Sequence, residues 1–154
     1  MKGCIRARSQ MIKLTLPLPP SINHSHITTK SGQRVPSSIT KKYMKNARQM
    51  IWLHIYENII PLPLLPLFEF DAKVYIDLVI YFPDNKRRDT HNLLKILLDS
   101  LEGIIYKDDK MALPRIMDFI VDKKNPRVEI MIYPKDCLQE NLPTAMDVLG
   151  ILKD

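Results

Sequence analysis

The segment from Phe68 to Phe82 alternates between apolar and mostly polar residues, and no other feature of the chain limits the possible folds as strongly. Its apolar residues stand at every second position: Phe68, Phe70, Ala72, Val74, Ile76, Leu78, Ile80 and Phe82. Because successive side chains of a β-strand point to opposite faces, this pattern predicts one long strand with a single buried face, bent or bulged along its length. Such a strand requires neighbouring strands and a layer that covers its apolar side.

A strand, a loop and a helix are predicted before this segment. Residues 12–16 alternate cleanly and indicate a short strand. Residues 21–38 show no periodicity and indicate a long loop, which in a compact domain is usually functional or disordered. Thr40 is a candidate cap for a helix that extends to about Asn58, where a run of prolines ends it.

A helix and two strands are predicted after the alternating segment. Leucines between Leu93 and Leu101 form the apolar stripe of the helix. Strands are expected near residues 115–121 and 128–133, and residues 123–126 are typical of a hairpin turn between them. The order β-α-β-α-β-β predicts an α+β fold, a single domain with a mixed β-sheet and helices packed on one face.

The length of 154 residues is that of one domain. We expect residues 1–10 to be a disordered or dispensable tail, residues 11–134 to form the domain, and residues 135–154 to be a C-terminal extension with a short helix. Cys4 and Cys137 lie near opposite ends of the chain and match no metal-site spacing, so both are expected to be buried or idle thiols.

The chain is basic, with a formal net charge of +6 and an isoelectric point near 9.3. This balance favours a polyanionic partner, either nucleic acid or an anionic membrane. No apolar run approaches the roughly 18 residues of a membrane span, and no signal-peptide core follows the basic N-terminus. We therefore expect a nucleic acid as the partner, no membrane association and a cytoplasmic setting.

Acidic, imidazole and ammonium side chains are concentrated around the second predicted helix. In chain order these residues are Asp89, His91, Lys95, Asp99, Asp108 and Asp109. Carboxylates can hold a divalent cation, whereas basic groups can hold a phosphate and its developing charge. Hydrolysis of a phosphodiester requires both, so this combination in a basic chain points to a nuclease.

The predicted helix places only some of these residues together. Asn92, Lys95 and Asp99 stand at i, i+3 and i+7 and therefore share one face. A helix of about 12 residues is roughly 18 Å long, so Asp109 can reach Asp89 only if the return loop folds back along the helix. The alternative is purely structural: Asp89 would cap the helix, and Lys95 with Asp99 would form an ordinary i, i+4 pair on a solvated face.

Basic residues near this cluster are candidates for contact with a nucleic acid. Lys86, Arg87 and Arg88 directly precede the cluster, and for them phosphate contact and a merely solvated charge run both remain open. In the predicted loop, His24, His26 and Lys30 either touch a nucleic-acid backbone or are ordinary loop residues.

Four spaced motifs resemble those of a known nuclease family. Three of them are Asp89-Thr90-His91-Asn92-Leu93-Leu94-Lys95, Asp99-Ser100-Leu101 and Asp108-Asp109. They are similar to the Asp-x-Asp-Asn-x-x-Lys segment, the Asp-Ala-Leu-like helix turn and the later Asp-Asp pair of the RusA family of Holliday junction resolvases, the crossover junction endodeoxyribonucleases. The fourth, Leu18-Pro19-Pro20-Ser21-Ile22-Asn23, resembles the opening Pro-Pro-Ser-x-Asn of that family. The resemblance runs from about Met11 to Tyr133, and it adds Asn23 to the candidate DNA contacts.

The resemblance implies a homodimeric α+β endonuclease that binds branched DNA. Such an enzyme resolves four-way junctions by paired, metal-dependent phosphodiester hydrolysis during DNA recombination and repair. The implied cofactor is Mg²⁺ or Mn²⁺, with no further small-molecule cofactor. By matching position, Asp89 and Asp109 would bind the metal and act in catalysis, and Lys95 would lie near the scissile phosphate. Asn92 and Asp99 would have supporting roles.

One motif position departs from the family pattern. The second acidic residue of the Asp-x-Asp segment is His91 in this chain. Mg²⁺ prefers oxygen ligands, whereas imidazole suits manganese and softer metals better. The resemblance therefore implies His91 as a metal ligand, a stronger preference for Mn²⁺ than in a relative with three carboxylates, and Asp108 as a possible replacement carboxylate.

Three alternatives stay open at this stage. In the first, the chain is a catalytically impaired protein that binds junction DNA. In the second, it is a nuclease that acts on other branched DNA or on duplex. In the third, it is an α+β domain with no role in DNA binding. The third alternative has to explain both the excess of basic over acidic residues and the ordered motif.

Overall fold

The structure is a computed structural model, and it describes residues 11–21, 23, 25–58 and 73–135. The elements of these residues are β1 (Ile12–Leu16), β2 (His26–Thr28), β3 (Arg34–Pro36), α1 (Ser38–Asn58), β4 (Val74–Phe82), α2 (Leu94–Leu101), β5 (Ala112–Val121) and β6 (Arg127–Pro134). Short 3₁₀ turns, Thr90–Leu93 and Asp109–Met111, precede α2 and β5.

Four of the strands form a mixed sheet in the order β1-β6-β4-β5. β6 runs antiparallel to both β1 and β4, whereas β5 runs parallel to β4. A parallel neighbour requires a crossover connection, and α2 with its flanking turns provides it. Both helices pack on one face of the sheet, where their apolar side chains and those of the strands form one core. The predicted α+β architecture, with helices on one face of a mixed sheet, is confirmed.

The apolar side of α1 follows helical spacing, and its start is set by a cap. Its buried apolar residues are Tyr43, Ala47, Ile51 and Ile55. The helix begins at Ser38, earlier than predicted, because Ser37 rather than Thr40 is the cap. The Ser37 hydroxyl accepts a hydrogen bond from the Thr40 amide at 3.2 Å.

The prediction of a single buried face for the alternating segment was wrong for β4. The predicted apolar positions do face the helices: Val74, Ile76, Leu78, Ile80 and Phe82. The residues between them are also buried or half-buried, and on the opposite face Val79 and Tyr81 form a second apolar cluster with Met131 and Tyr133 of β6. β4 is the central strand, so side chains from its neighbours cover both of its faces. The register with β5 shifts between Leu78 and Val79, but the extra residue, Met117, belongs to β5. The pairing of β4 with β6 is continuous, so the irregularity is not in the alternating segment where a bulge was predicted.

The predicted hairpin turn at residues 123–126 was also wrong. β5 and β6 are not neighbours, because β4 lies between them in the sheet. The connection crosses the end of β4, where the Asp122 amide donates a hydrogen bond to the Phe82 carbonyl at 2.7 Å. Turn residues indicate that the chain reverses, but they do not indicate which strand it pairs with afterwards.

Part of the predicted loop at residues 21–38 is instead an antiparallel hairpin of β2 and β3. Its turn contains Gly32 with φ of +79°, a conformation that other residues rarely adopt. Strands of three residues with mostly exposed side chains have no detectable alternation, so periodicity could not predict them.

Some predictions fall on residues that the structure does not describe. These are the predicted tail at residues 1–10, the C-terminal extension from residue 136, and residues 59–72 with the first part of the alternating segment. Among the described helices, none is long and apolar enough to cross a membrane.

Candidate active site

The chain between α2 and β5 folds back along α2, which is the condition that the sequence left open. Just after α2, Gly103 has φ of +79°, which glycine adopts without strain. The Gly103 amide donates to the Tyr106 carbonyl at 2.7 Å, and the hydroxyl of the buried Tyr106 donates to the Leu98 carbonyl at 2.8 Å. These bonds hold the loop against the helix, so that Asp109 lies beside Lys95 in the first turn of α2.

Lys95 joins carboxylates from two different parts of the chain. Its ammonium lies 2.8 Å from Asp99 Oδ1 and 3.2 Å from Asp109 Oδ2. The hydrogen bond to Asp99, together with the one to Asp109, raises the pKa of Lys95 above its ordinary value, so this side chain is cationic at neutral pH. The Lys95 side chain is still 55% exposed, which leaves the group accessible to a ligand.

Asp89 and His91 form a second group at the start of the helix. The Asp89 carboxylate caps the 3₁₀ turn that leads into α2 by accepting a hydrogen bond from the His91 amide at 3.0 Å. His91 Nδ1 lies 3.5 Å from the same carboxylate oxygen. The Asn92 amide donates to the Asp89 carbonyl at 3.2 Å, so Asn92 helps to form this turn through its backbone.

The Asp108 carboxylate bonds to Lys110, a residue of the turn that Asp108 precedes. It accepts a hydrogen bond from the Lys110 amide at 3.0 Å and lies 3.4 Å from the Lys110 ammonium. The bond from the backbone lowers the pKa of Asp108 below its ordinary value. Asp108 therefore caps the 3₁₀ turn that carries Asp109.

The acidic residues fit a divalent cation by their chemistry, because Mg²⁺ and Mn²⁺ prefer carboxylate oxygens. Their positions do not yet form a complete metal site. Among residues 11–21, 23, 25–58 and 73–135, no three His, Cys, Asp or Glu side chains are grouped closely enough to hold a metal ion. Lys95 is bonded to Asp99 and Asp109, whereas Asp89 is paired with His91. The structure thus brings Lys95, Asp99 and Asp109 into one group and Asp89 and His91 into another, while Asp108 bonds to Lys110.

The basic loop before the site is partly neutralised by Asp84. Arg88 Nη1 lies 2.5 Å from Asp84 Oδ1, and the guanidinium carbon of Arg88 lies 5.1 Å from the centre of the Phe82 ring. Lys86 Nζ lies 3.8 Å from the other Asp84 oxygen. Hydrogen bonding to Arg88 lowers the pKa of Asp84 to about 2, so this carboxylate is charged at neutral pH.

The other two predicted DNA contacts, Arg87 and Asn23, are both exposed. Arg87 takes no part in the ion pairs that Asp84 makes with its neighbours. The Asn23 amide is bonded to the Ser21 hydroxyl at 3.4 Å, and Asn23 lies on the segment that precedes the β2–β3 hairpin.

Two residues that support the site were not predicted from the sequence. Arg48 on α1 donates from Nη1 to the carbonyl oxygens of Asp99 at 3.3 Å and Glu102 at 3.0 Å, and so binds the end of α2. Tyr106 anchors the return loop. The Arg48 bonds join residues about 50 positions apart, for which sequence periodicity gives no signal. Asp84, by contrast, stands four residues before Arg88 and was detectable as a carboxylate beside the basic run.

Comparison with known families identifies the family to which the chain belongs. Residues 17–133 match the family described as endodeoxyribonuclease RusA, which is more than half of the 154-residue chain. The chain belongs to the RusA family. The matched range includes every candidate site residue from Asn23 to Asp109. Membership of the RusA family identifies the chain as an endodeoxyribonuclease, a hydrolase of phosphodiester bonds within DNA. No individual curated protein matches the chain.

Proposed function

We propose that this RusA-family protein resolves four-way DNA junctions by nicking two opposed strands during recombination and repair. The observation that supports this most directly is the Lys95 ammonium bonded to Asp99 and Asp109, beside the turn that carries Asp89 and His91. Phosphodiester hydrolysis uses a protonated amine, which offsets the charge of the phosphate, next to carboxylates able to hold a cation.

In this proposal Asp89, His91 and Asp109 would hold a divalent cation, Mg²⁺ or Mn²⁺, with Asp108 as a further carboxylate. When bound, such an ion supplies polarisation of a phosphate oxygen and an activated water. The chain supplies negative charge and orientation. Asp89 is oriented by its bond from the His91 amide, and Asp109 by its bond from Lys95.

Lys95 binds the scissile phosphate and offsets the charge that develops on it. Because its pKa is raised, Lys95 remains protonated at neutral pH and is therefore not a general base. An ammonium has three N–H donors, so a phosphate oxygen can be bound while a bond to Asp99 is kept. Asp99 then acts as a positioning residue, which holds the lysine at the first turns of α2.

DNA contact and junction selectivity come from outside this group. Lys86, Arg87, Arg88 and Asn23 contact phosphates near the scissile bond, and a homodimer presents two sites to two crossing strands, so shape rather than base sequence selects the junction. Sedimentation equilibrium tests the dimer. A mass of about twice the 17.9 kDa of the chain supports it, whereas a monomer at all concentrations, free and with junction DNA, contradicts it.

The experiment that tests the function compares a labelled four-way junction with a linear duplex of the same sequence, in Mg²⁺, Mn²⁺ and chelator. Asp109→Asn is the site variant, and Asp118→Asn on β5 is the control for loss of one negative charge. We expect paired nicks in the junction only, dependent on metal, absent with Asp109→Asn and retained with Asp118→Asn. Cleavage that persists in chelator or in Asp109→Asn contradicts the assignment.

One alternative has an observation in its favour. His91 replaces a motif carboxylate, so a protein that binds junctions without cutting them is the second candidate. It predicts tight junction binding and no nicks in either metal, together with activity in His91→Asp. Preferential cutting of flaps or plain duplex instead indicates a RusA-family nuclease with a different substrate.

A further inference from the structure

The charges of this chain are distributed very unevenly. No Asp or Glu occurs before Glu57, so all 17 acidic residues lie in the remainder of the chain, whereas ten of the 23 lysines and arginines precede Glu57. Most of the candidate site residues lie in the mixed-charge remainder. The first third of the chain is therefore a separate source of positive charge, and the function proposed above makes no use of most of it.

Five of these cations are exposed and lie on two consecutive parts of the fold. Lys30 and Arg34 lie on the β2–β3 hairpin, and Lys41, Lys42 and Lys45 lie on the first turns of α1. All five side chains are exposed, and none makes an ion pair with any residue in the described ranges. Spacings of one, three and four residues place the three helix lysines on adjoining positions of the same side. We call these five residues the hairpin–helix surface.

Basic residues in the described second half of the chain are in a different situation. Several are paired with carboxylates: Lys86 and Arg88 with Asp84, Lys95 with Asp99 and Asp109, Lys110 with Asp108, Arg115 with Asp77, and Arg127 with Asp122 and Glu129. The charge of a cation that already has a carboxylate partner is partly offset before any phosphate binds. The residues of the hairpin–helix surface have no carboxylate partner in the part of the chain that the structure describes, and counterions in solution are released from the phosphates when these residues bind a polyanion.

The hairpin and the helix start are held together by backbone bonds. β3 ends at Pro36, and Ser37, the next residue, caps α1. The Ser37 amide also donates to the Ser25 carbonyl at 2.8 Å, which ties the base of the hairpin to the cap. The positions of the hairpin and helix cations relative to each other are therefore set by the fold, although β2 and the turn are largely exposed to solvent.

We propose that the hairpin–helix surface binds the sugar-phosphate backbone of a duplex DNA arm, apart from the scissile phosphate. This inference rests on the proposed function for the identity of the DNA as a branched substrate. Its basis is charge complementarity: five exposed cations, in a part of the sequence that contains no Asp or Glu, are suited to bind a polyanion. Contacts of this kind position a protein on DNA and carry no base sequence information. Arg48 does not belong to the surface, because its guanidinium is bonded to carbonyl groups at the end of α2.

The test compares two triple variants with the same loss of charge. Lys41→Gln, Lys42→Gln and Lys45→Gln remove three cations of the surface. Lys73→Gln, Lys123→Gln and Lys124→Gln remove three exposed lysines elsewhere. The affinity for a four-way junction is measured in chelator over a range of salt concentrations. We expect the surface variant to lose about 10- to 100-fold in affinity at low salt and to reduce the slope of log K against log salt by about 2 to 3, at roughly 0.9 per phosphate contact. The control variant keeps a slope close to that of the unchanged protein.

Equal slopes for the surface variant and the unchanged protein overturn the proposal, and so does an equal loss of affinity in both triple variants, which indicates a general effect of net charge. The cleavage rate at saturating protein separates this outcome from failure of the proposed function. A surface variant that binds weakly but cuts at the normal rate when saturated supports a role in binding alone. If the protein never cuts but the surface variant shows the expected change in slope, the resolvase proposal is contradicted and the proposal of a DNA-binding surface is supported.

Discussion

At the scale of single residues, the candidate site is organised by one ammonium group. Lys95 bonds Asp99 within its own helix and Asp109 at the end of the return loop. The first contact is the ordinary i, i+4 pair that a solvated helix face also shows, and it does not distinguish a site from a surface. The second joins residues 14 positions apart and exists only because the loop folds back. The contact with Asp109 therefore supports the catalytic interpretation, and the contact with Asp99 does not.

Replacing Lys95 by Gln is expected to reduce the rate of junction cleavage at saturating protein by about 10²- to 10³-fold, the usual effect of removing one group that stabilises transition-state charge. Binding measured in chelator is expected to change much less. Lys110→Gln is the control, since this lysine lies in the same loop and pairs with Asp108 instead. Equal rates for Lys95→Gln and Lys110→Gln would remove Lys95 from the mechanism.

His91 leads to a prediction about metal preference. An imidazole in place of a carboxylate removes a negative charge and an oxygen ligand, which weakens a site for Mg²⁺ more than one for Mn²⁺. We expect the unchanged protein to be more active with Mn²⁺, and His91→Asp to raise activity with Mg²⁺ relative to Mn²⁺. Metal titrations of both proteins measure the ratio, and equal or better activity of the unchanged protein with Mg²⁺ contradicts the prediction. Asp108→Asn in the same assay shows whether Asp108 supplies a replacement ligand.

At the scale of elements, the central strand β4 is joined to both neighbours by a polar cluster on the face away from the helices. Asp77 on β4 is 1% exposed, and its carboxylate accepts hydrogen bonds from Arg115 of β5 at 2.6 and 2.8 Å and from Tyr133 of β6 at 2.7 Å. Arg115 also donates to the Tyr133 hydroxyl, and its guanidinium carbon lies 4.1 Å from the centre of the Tyr75 ring. The cluster thus pairs a buried carboxylate and connects three strands.

Substituting Arg115 by Leu is expected to lower the free energy of unfolding by about 2 to 3 kcal/mol, because it leaves the Asp77 carboxylate buried without its main partner. This value lies below the largest losses seen for buried pairs, since the Arg115 side chain is 39% exposed. Urea unfolding measures the change. Arg87→Leu, which removes an exposed arginine, is the control and is expected to stay within about 0.5 kcal/mol of the unchanged protein.

At the scale of the whole molecule, burial of tyrosines couples stability to alkaline pH. Burial raises the pKa of Tyr43 and Tyr106 well above the ordinary value for a phenol. Burial and the hydrogen bond to Asp77 raise the pKa of Tyr133 to about 12. These three tyrosines come from α1, the return loop and β6, so their ionisation reports on both faces of the sheet and not on one element.

We therefore expect the free energy of unfolding to fall as the pH rises from about 10 to about 12. In this range the unfolded chain has lost the phenolic protons that the folded chain still holds, so the unfolded state binds fewer protons and stability decreases with pH. Ultraviolet titration of the phenolates in the folded and urea-unfolded protein measures this. Superimposable titration curves for the two states contradict the prediction, and Tyr133→Phe is expected to remove its own part of the difference.

The sequence by itself determined the longer helices and strands and the chemistry of the site, while tertiary structure decided how both are arranged. Periodicity is a local property, so it predicted the two α-helices, β1, the whole of β4 and the helix face that carries Lys95 and Asp99. The motif from Asp89 to Asp109 indicated the nuclease family. Strand pairing and loop direction depend on contacts between distant residues, and these local patterns do not record them. Three features were therefore decided only by tertiary packing. β4 lies between β5 and β6, both faces of β4 are buried, and Asp109 contacts Lys95.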